Sequence, residues 1–183
     1  MDASRDKPLV TLVVGSDSDL PVIGEAARTL EAFGIGFELF IASAHRSPER
    51  VREIVRSAEA KGTAVIIAAA GLSAHLPGAI SSLTTLPVIG VPVKSGPLNG
   101  VDALYSIVQM PPGVPVATVG IDAAVNAAIL AVEILAAGGG SGVDAGVLRA
   151  RLAEHRRQMA ESVAKKDAEL HSAGRTAPER AGR

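Results

Sequence analysis

Ala64-Val65-Ile66-Ile67-Ala68-Ala69-Ala70 is a run of seven residues without one polar side chain, preceded by Gly62-Thr63 and followed by Gly71. A half-exposed strand alternates apolar with polar residues. A short run that is apolar on both faces reads instead as a strand covered on each side, as in a parallel sheet between two helical layers. Four more strand-length runs, at residues 9–14, 36–42, 87–93 and 114–121, surround it in sequence. Helix-like segments alternate with them at 20–33, 47–61, 74–83, 100–109 and 122–137. This alternation predicts an α/β fold, a three-layer doubly wound parallel sheet. Ligands of such sheets bind beyond the carboxyl ends of the strands, where the strand order reverses. A flavodoxin-like order, 2-1-3-4-5, would bring the loops after the first three runs into one crevice.

The 183 residues suffice for one domain with a full core, and hydrophobic residues make up 48% of them. Aromatics contribute only 2%, namely Phe33, Phe37, Phe40 and Tyr105, so the core must be built from Val, Ile, Leu and Ala. A formal charge of -1 provides no basic field for nucleic acid, and few rings are present to stack bases. The chain has no cysteine, which suits a reducing compartment. Residues 1–7 lack an apolar signal core, and no later apolar run reaches the ~18 residues of a membrane span. The expectation is a soluble cytoplasmic protein without nucleic-acid or membrane partners.

Within the chain, residues 1–8 read as an N-terminal tail, 9–140 as a single α/β domain, 141–171 as a C-terminal helical extension and 172–183 as a disordered tail. The segment 122–137 is apolar nearly all round, with Asn126 and Glu133 as its polar interior residues. Either it is internal or another subunit covers it. After the Gly-rich stretch 138–142, a long C-terminal helix is expected over about 144–170, with Leu148, Leu152, Met159, Val163 and Leu170 as its stripe. Its length would be about 40 Å at 1.5 Å per residue, enough to reach across a neighbouring subunit.

Three loops carry candidate chemistry. In Ser43-Ala44-His45-Arg46-Ser47-Pro48, Ser47 reads as an N-cap and Pro48 as the first helical residue. His45 and Arg46 then lie at the positive end of a helix, where Arg46 could hold a phosphate with two charge-assisted hydrogen bonds. The alternative is that both are polar loop residues beside a capped helix. In Gly15-Ser16-Asp17-Ser18-Asp19, the serines could cradle a phosphate and Asp19 could accept ribose hydroxyls. Equally, Asp17 or Asp19 could simply cap the helix beginning at Leu20-Pro21. Gly71-Leu72-Ser73-Ala74-His75 approaches the G-x-S-x-G nucleophile elbow but places His75 where a very small residue is needed. The four histidines, His45, His75, His155 and His171, include no pair at metal-ligand spacing, and no Walker loop or complete G-x-G-x-x-G occurs. Neither a metal nor a cofactor is expected.

Taken together, these segments resemble the PurE family, the carboxyaminoimidazole ribonucleotide mutases. The resemblance rests on residues 15–19, on 43–48, on Ala74-His75-Leu76-Pro77-Gly78 and on Gly90-Val91-Pro92-Val93. Its longest stretch is Ser106-Ile107-Val108-Gln109-Met110-Pro111 with Gly113-Val114-Pro115-Val116, and it spans roughly residues 9–137. It implies a homo-octamer with active sites at subunit contacts and a phosphoribosylated heterocycle as substrate. A carboxylate would move from the exocyclic nitrogen to the adjacent ring carbon without ATP, metal or organic cofactor. Carried over position by position, Ser16, Ser43 and Arg46 would bind the phosphate, Asp19 the ribose and His45 would be the general acid and base. Ala70, Gly71 and His75 would hold the carbon dioxide or carboxylate, and Asp17, Ala44, Leu72, Ser73 and Leu76 would complete the substrate-binding set. Where the family is usually Gly-rich, this chain reads Ala69-Ala70-Gly71-Leu72-Ser73-Ala74. That departure motivates a second expectation, an enzyme of specialised deazapurine metabolism that decarboxylates or phosphoribosylates a carboxylated heterocycle. A third is a ribotide-binding module without catalysis.

Overall fold

The computed structural model describes residues 8–138 and 142–172. The expected N-terminal tail (all but Pro8), the middle of the 138–142 stretch and the expected disordered tail (all but Ser172) lie outside these described residues. Two compact units divide at Leu148 and Arg149.

Five strands form the sheet of the first unit: β1 (Val10–Val14), β2 (Phe37–Ile41), β3 (Val65–Gly71), β4 (Val88–Val93) and β5 (Ala117–Thr118). All neighbours are parallel and the order is β2-β1-β3-β4-β5, the flavodoxin-like arrangement. Helices α1 (Leu20–Ala32) and α5 (Ala124–Ala136) pack together on one face. On the other lie α2 (Pro48–Lys61), α3 (Leu76–Ser81) and α4 (Val101–Val108). Val13, Ile66, Ala68 and Val88 share a core there with Val51, Ile54, Val55, Ile80 and Ile107. Glycine at position 90 is what lets α4 press on the sheet. A β-carbon there would stand 2.4 Å from Ile107 Cγ2 and 2.9 Å from Val116 Cγ1.

Every residue of β1 and β4 is buried, as is β3 up to Gly71, in keeping with two-sided cover. Strand β2 departs from the expected pattern because it is an edge. Leu39 and Ile41 are exposed, and Glu38 pairs with Lys61 of α2 at 2.6 Å. Strand β5 is two residues long, whereas the sequence suggested 114–121. Pro115 lacks a donor, and pairing with β4 is confined to Ile89 with Ala117 and Gly90 with Thr118. Helix α3 is also shorter than expected, because Ala74 N–H donates to Leu72 O and His75 N–H to Ser73 O, winding those residues into a turn. Helix α5 is not internal. Its Ala124, Ala127, Ala128 and Ala131 side is buried, while Val125 and Asn126 are exposed.

Helix α6 (Ala145–Ser172) begins where Asp144 accepts hydrogen bonds from Gly146 N–H (2.8 Å) and Val147 N–H (3.3 Å). Of its expected stripe, Leu148 is fully buried, while Met159, Val163 and Leu170 are exposed. No helix among the described residues is long and apolar enough to cross a membrane.

Candidate active site

The loop after β1 is tied to itself. Ser16, in extended backbone, caps a short 3-10 turn over Asp17–Asp19: its Oγ accepts Ser18 N–H at 3.4 Å, while Asp19 Oδ2 accepts Ser16 N–H at 3.2 Å. The Ser16 hydroxyl also donates to Asp17 Oδ1 (2.9 Å) and the Ser18 hydroxyl to Asp19 Oδ1 (3.4 Å). Asp19 stands before α1 but its side chain makes no cap bond there, contrary to the capping role the sequence allowed; the bonds it makes with Ser16 close the preceding 3-10 turn, and Asp17 Oδ1 accepts Ser18 N–H within that turn. Asp19 is only 6% exposed, and burial pushes its carboxyl above the usual range. Asp17, exposed, is held below that range, chiefly by the Ser16 hydroxyl.

The loop after β2 closes in a similar way, with one correction to expectation. Ser47 occupies the residue before α2, yet its hydroxyl makes no cap. Instead Ser47 Oγ accepts Ser43 N–H at 3.0 Å and donates to Ser43 O at 3.2 Å, because the turn folds back on itself before Pro48 starts the helix. Ser43 Oγ accepts Arg46 N–H at 3.3 Å. Arg46 then reaches the first loop, where Nη2 donates to Gly15 O at 3.1 Å.

The third loop brings a second imidazole. His45 Nε2 and His75 Nδ1 are 2.8 Å apart, the rings edge-on with centroids 5.0 Å apart. One proton lies between the two nitrogens, on one tautomer or the other. Leu72 has φ 54, a left-handed conformation that costs a residue with a side chain about 1–2 kcal/mol. Asn99 and Asp122 also have positive φ, but Asn and Asp tolerate it far better than leucine does.

These loops surround a cavity of about 480 Å³ at the carboxyl ends of the strands. From the β1 loop it takes Ser16 and Asp19, and from the β2 loop Ser43, Ala44, His45 and Arg46. The β3 loop adds Ala70, Gly71, Leu72 and Ser73, with Leu76 from α3. Two expected members are not on its wall: Asp17 stands exposed beside it, and His75 meets it only through His45. Gly15 and Ser18 of the cradle motif line it too, and so does Ser95, which no sequence motif singled out for the site. Ser95 follows β4, the neighbour of β3 in the sheet, so extending attention to the fourth loop would have found it. A hollow of about 500 Å³ at the start of β2 is lined by Glu31, Gly34, Ile35, Gly36 and Phe37 and gathers no basic group or histidine. Chemistry, not size, singles out the first cavity. Among the described residues, no group of three or more His, Cys, Asp or Glu is placed to hold a metal ion.

The chain is 54% identical over 169 residues to an N5-carboxyaminoimidazole ribonucleotide mutase of Pyrococcus horikoshii, covering 92% of each chain. It is 57% identical over 131 residues to the phosphoribosylaminoimidazole carboxylase of Saccharomyces cerevisiae, covering 72% of this chain and 23% of that protein. A crystal structure of Treponema denticola PurE superposes with a TM-score of 0.78 at 29% identity, over 89% of this chain and 98% of that one. A family model described as AIR carboxylase matches residues 9–162. With the fold, the crevice and these relatives in agreement, the chain belongs to the AIR carboxylase family.

Proposed function

We propose that this enzyme is an N5-carboxyaminoimidazole ribonucleotide mutase acting in purine biosynthesis. The observation that carries the reading is the convergence, in one cavity, of a serine and arginine cradle with His45, whose ring is hydrogen-bonded to His75 beyond the cavity wall. Relatives of that name at this identity support it. Arg46 and the hydroxyls of Ser16 and Ser43 take the phosphate, displacing some of the bonds they now make to each other. Asp19 retains free lone pairs beyond the bonds from Ser16 and Ser18, and these accept the ribose hydroxyls.

The reaction balances around one imidazole. The exocyclic nitrogen to carboxyl bond breaks and carbon dioxide is released, while that nitrogen takes a proton from His45. Carbon dioxide, held between the third loop and the ring, then forms a bond with the adjacent ring carbon. The proton of that carbon returns to His45, so the net change is an isomerisation. An imidazole suits both transfers, and its bond to His75 orients it and gives the proton a second resting place. Exclusion of bulk water keeps carbon dioxide near the ring.

Octameric assembly and a cytoplasmic location belong to the same proposal. Exposed Leu98, Val101, Tyr105 and Val108 on and beside α4 are consistent with subunit contacts. Incubating the protein with the carboxyamino ribotide and following ultraviolet absorbance tests the activity, with His45→Asn as the control. Conversion by the intact protein alone is expected, and no conversion overturns the reading. Leu72, bulky and left-handed in the stretch where the resemblance implies a Gly-rich loop, favours a second reading, a related enzyme acting on another carboxylated heterocycle such as a deazapurine. Failure to complement a purine auxotroph would favour that reading.

A further inference from the structure

The third and fourth loops interlock residue for residue. A β-carbon on Gly71 would stand 2.3 Å from Ser95 Oγ, and one on Gly96 would stand 2.7 Å from Leu72 Cδ2. Gly71 therefore gives way to Ser95, and Gly96 to Leu72. Gly96 has φ 62, so both its backbone and its surroundings favour glycine. Leu72 itself is 51% exposed and lines the cavity. Ser95 lines it as well, and its Oγ is buried without a hydrogen-bond partner. A strained leucine braced by a glycine, beside an orphaned hydroxyl, is an arrangement that folding alone does not call for.

From these contacts we infer that Leu72 and Ser95 form a wall that reads the heterocycle of the substrate, with Gly96 as its positioning residue. The inference rests on the ribotide reading above and deepens it. In the order β2-β1-β3-β4, the phosphate cradle lies at the β2 and β1 loops and the wall at the β3 and β4 loops. Three strand spacings, about 14 Å, separate the outer loops, so a ribotide with its phosphate in the cradle extends its ring toward the wall. The Leu72 side chain packs on the ring face. The Ser95 hydroxyl, now buried against Gly71, turns about its single side-chain torsion toward a polar ring substituent and gains the partner it lacks.

Calorimetric titration with two ligands separates the wall from the cradle. Ribose 5-phosphate reports the cradle and the folded state, whereas aminoimidazole ribotide engages both. Leu72→Gly relieves the strained backbone and removes the wall, so ribotide affinity should fall on the order of tenfold, with ribose 5-phosphate affinity unchanged. Gly96→Ala displaces Leu72 without altering it, and Ser95→Ala removes the hydroxyl; each should lower ribotide affinity alone. Equal losses for both ligands, or ribotide affinity unaltered by Leu72→Gly, would overturn the inference. Differential binding without turnover by the unmodified protein would sink the mutase reading and leave the wall standing. No ribotide binding at all would overturn both.

Discussion

At the proposed phosphate end of the crevice, Ser16, Ser43 and Arg46 are held by hydrogen bonds within two loops and by one bond between them, Arg46 to Gly15. At the proposed ring end, Gly71 and Leu72 rest on Ser95 and Gly96 through close atomic contact, with Leu72 in left-handed backbone. One end is thus a set of polar groups that can exchange their partners for a ligand. The other is a shaped surface that loses its form when a single atom is added or removed. The comparison teaches that anchoring and selection are separable here, so substitutions at the two ends should fail in different ways.

The largest effect is expected between the ends. His45→Asn should lower turnover by about 10²–10⁴-fold while leaving ribose 5-phosphate binding intact, as absorbance assays and calorimetry would show. If the binding fell in proportion, His45 would belong to the anchor and not to the chemistry. Arg46→Leu comes next, because it removes charge-assisted hydrogen bonds to phosphate worth about 1.5–3 kcal/mol. Ribose 5-phosphate should bind roughly ten- to hundredfold more weakly. An unaltered affinity would break the distinction between the two ends.

Gly71→Ala probes the shaped end through stability. The added methyl would meet Ser95 Oγ at 2.3 Å, and overpacking of this kind costs about 1–3 kcal/mol, measurable as a urea midpoint. Combining it with Ser95→Gly should recover part of that loss, since the two nearest contacts then disappear. Full additivity would mean that the loops do not interlock.

Asp19→Asn should show the smallest change, and it is a matter of pH. Burial raises the Asp19 carboxyl above its ordinary value, so the folded chain keeps this proton to higher pH than the unfolded chain. The stabilising contribution is complete while the group is protonated. It declines as pH rises from the ordinary carboxyl range through the raised value. Asparagine does not titrate. Urea midpoints should therefore show the Asn variant gaining on the native chain across that acidic window and keeping that gain at neutral pH, while ribotide binding weakens. A native chain that gained on the variant as pH rose would reverse the sign.

Much of the anchor was legible in the sequence. Ser16, Asp19, His45 and Arg46 stand in loops between runs whose apolar character named the strands, and turn and cap residues act on near neighbours. Even there the assignment of bonds differed, since Ser47 folds back on Ser43 where a helix cap was expected. The ring end was less legible. Leu72 could be seen as bulky, but not as left-handed, and Ser95 gave no local signal of its contact with Gly71. Strand β5 fell short for a related reason, as pairing at an edge depends on what the partner strand offers and Pro115 withholds a donor.

The sequence by itself determined the alternation of strands and helices and the residues available at the carboxyl ends, because hydrophobic patterning and backbone preference act over a few neighbouring positions. Only the tertiary structure decided that His45 meets His75 across 30 residues, that Arg46 reaches Gly15, and that Ser95 seats against Gly71. Those contacts follow from strand order and register, which are settled by the packing of the whole sheet between its two helical layers.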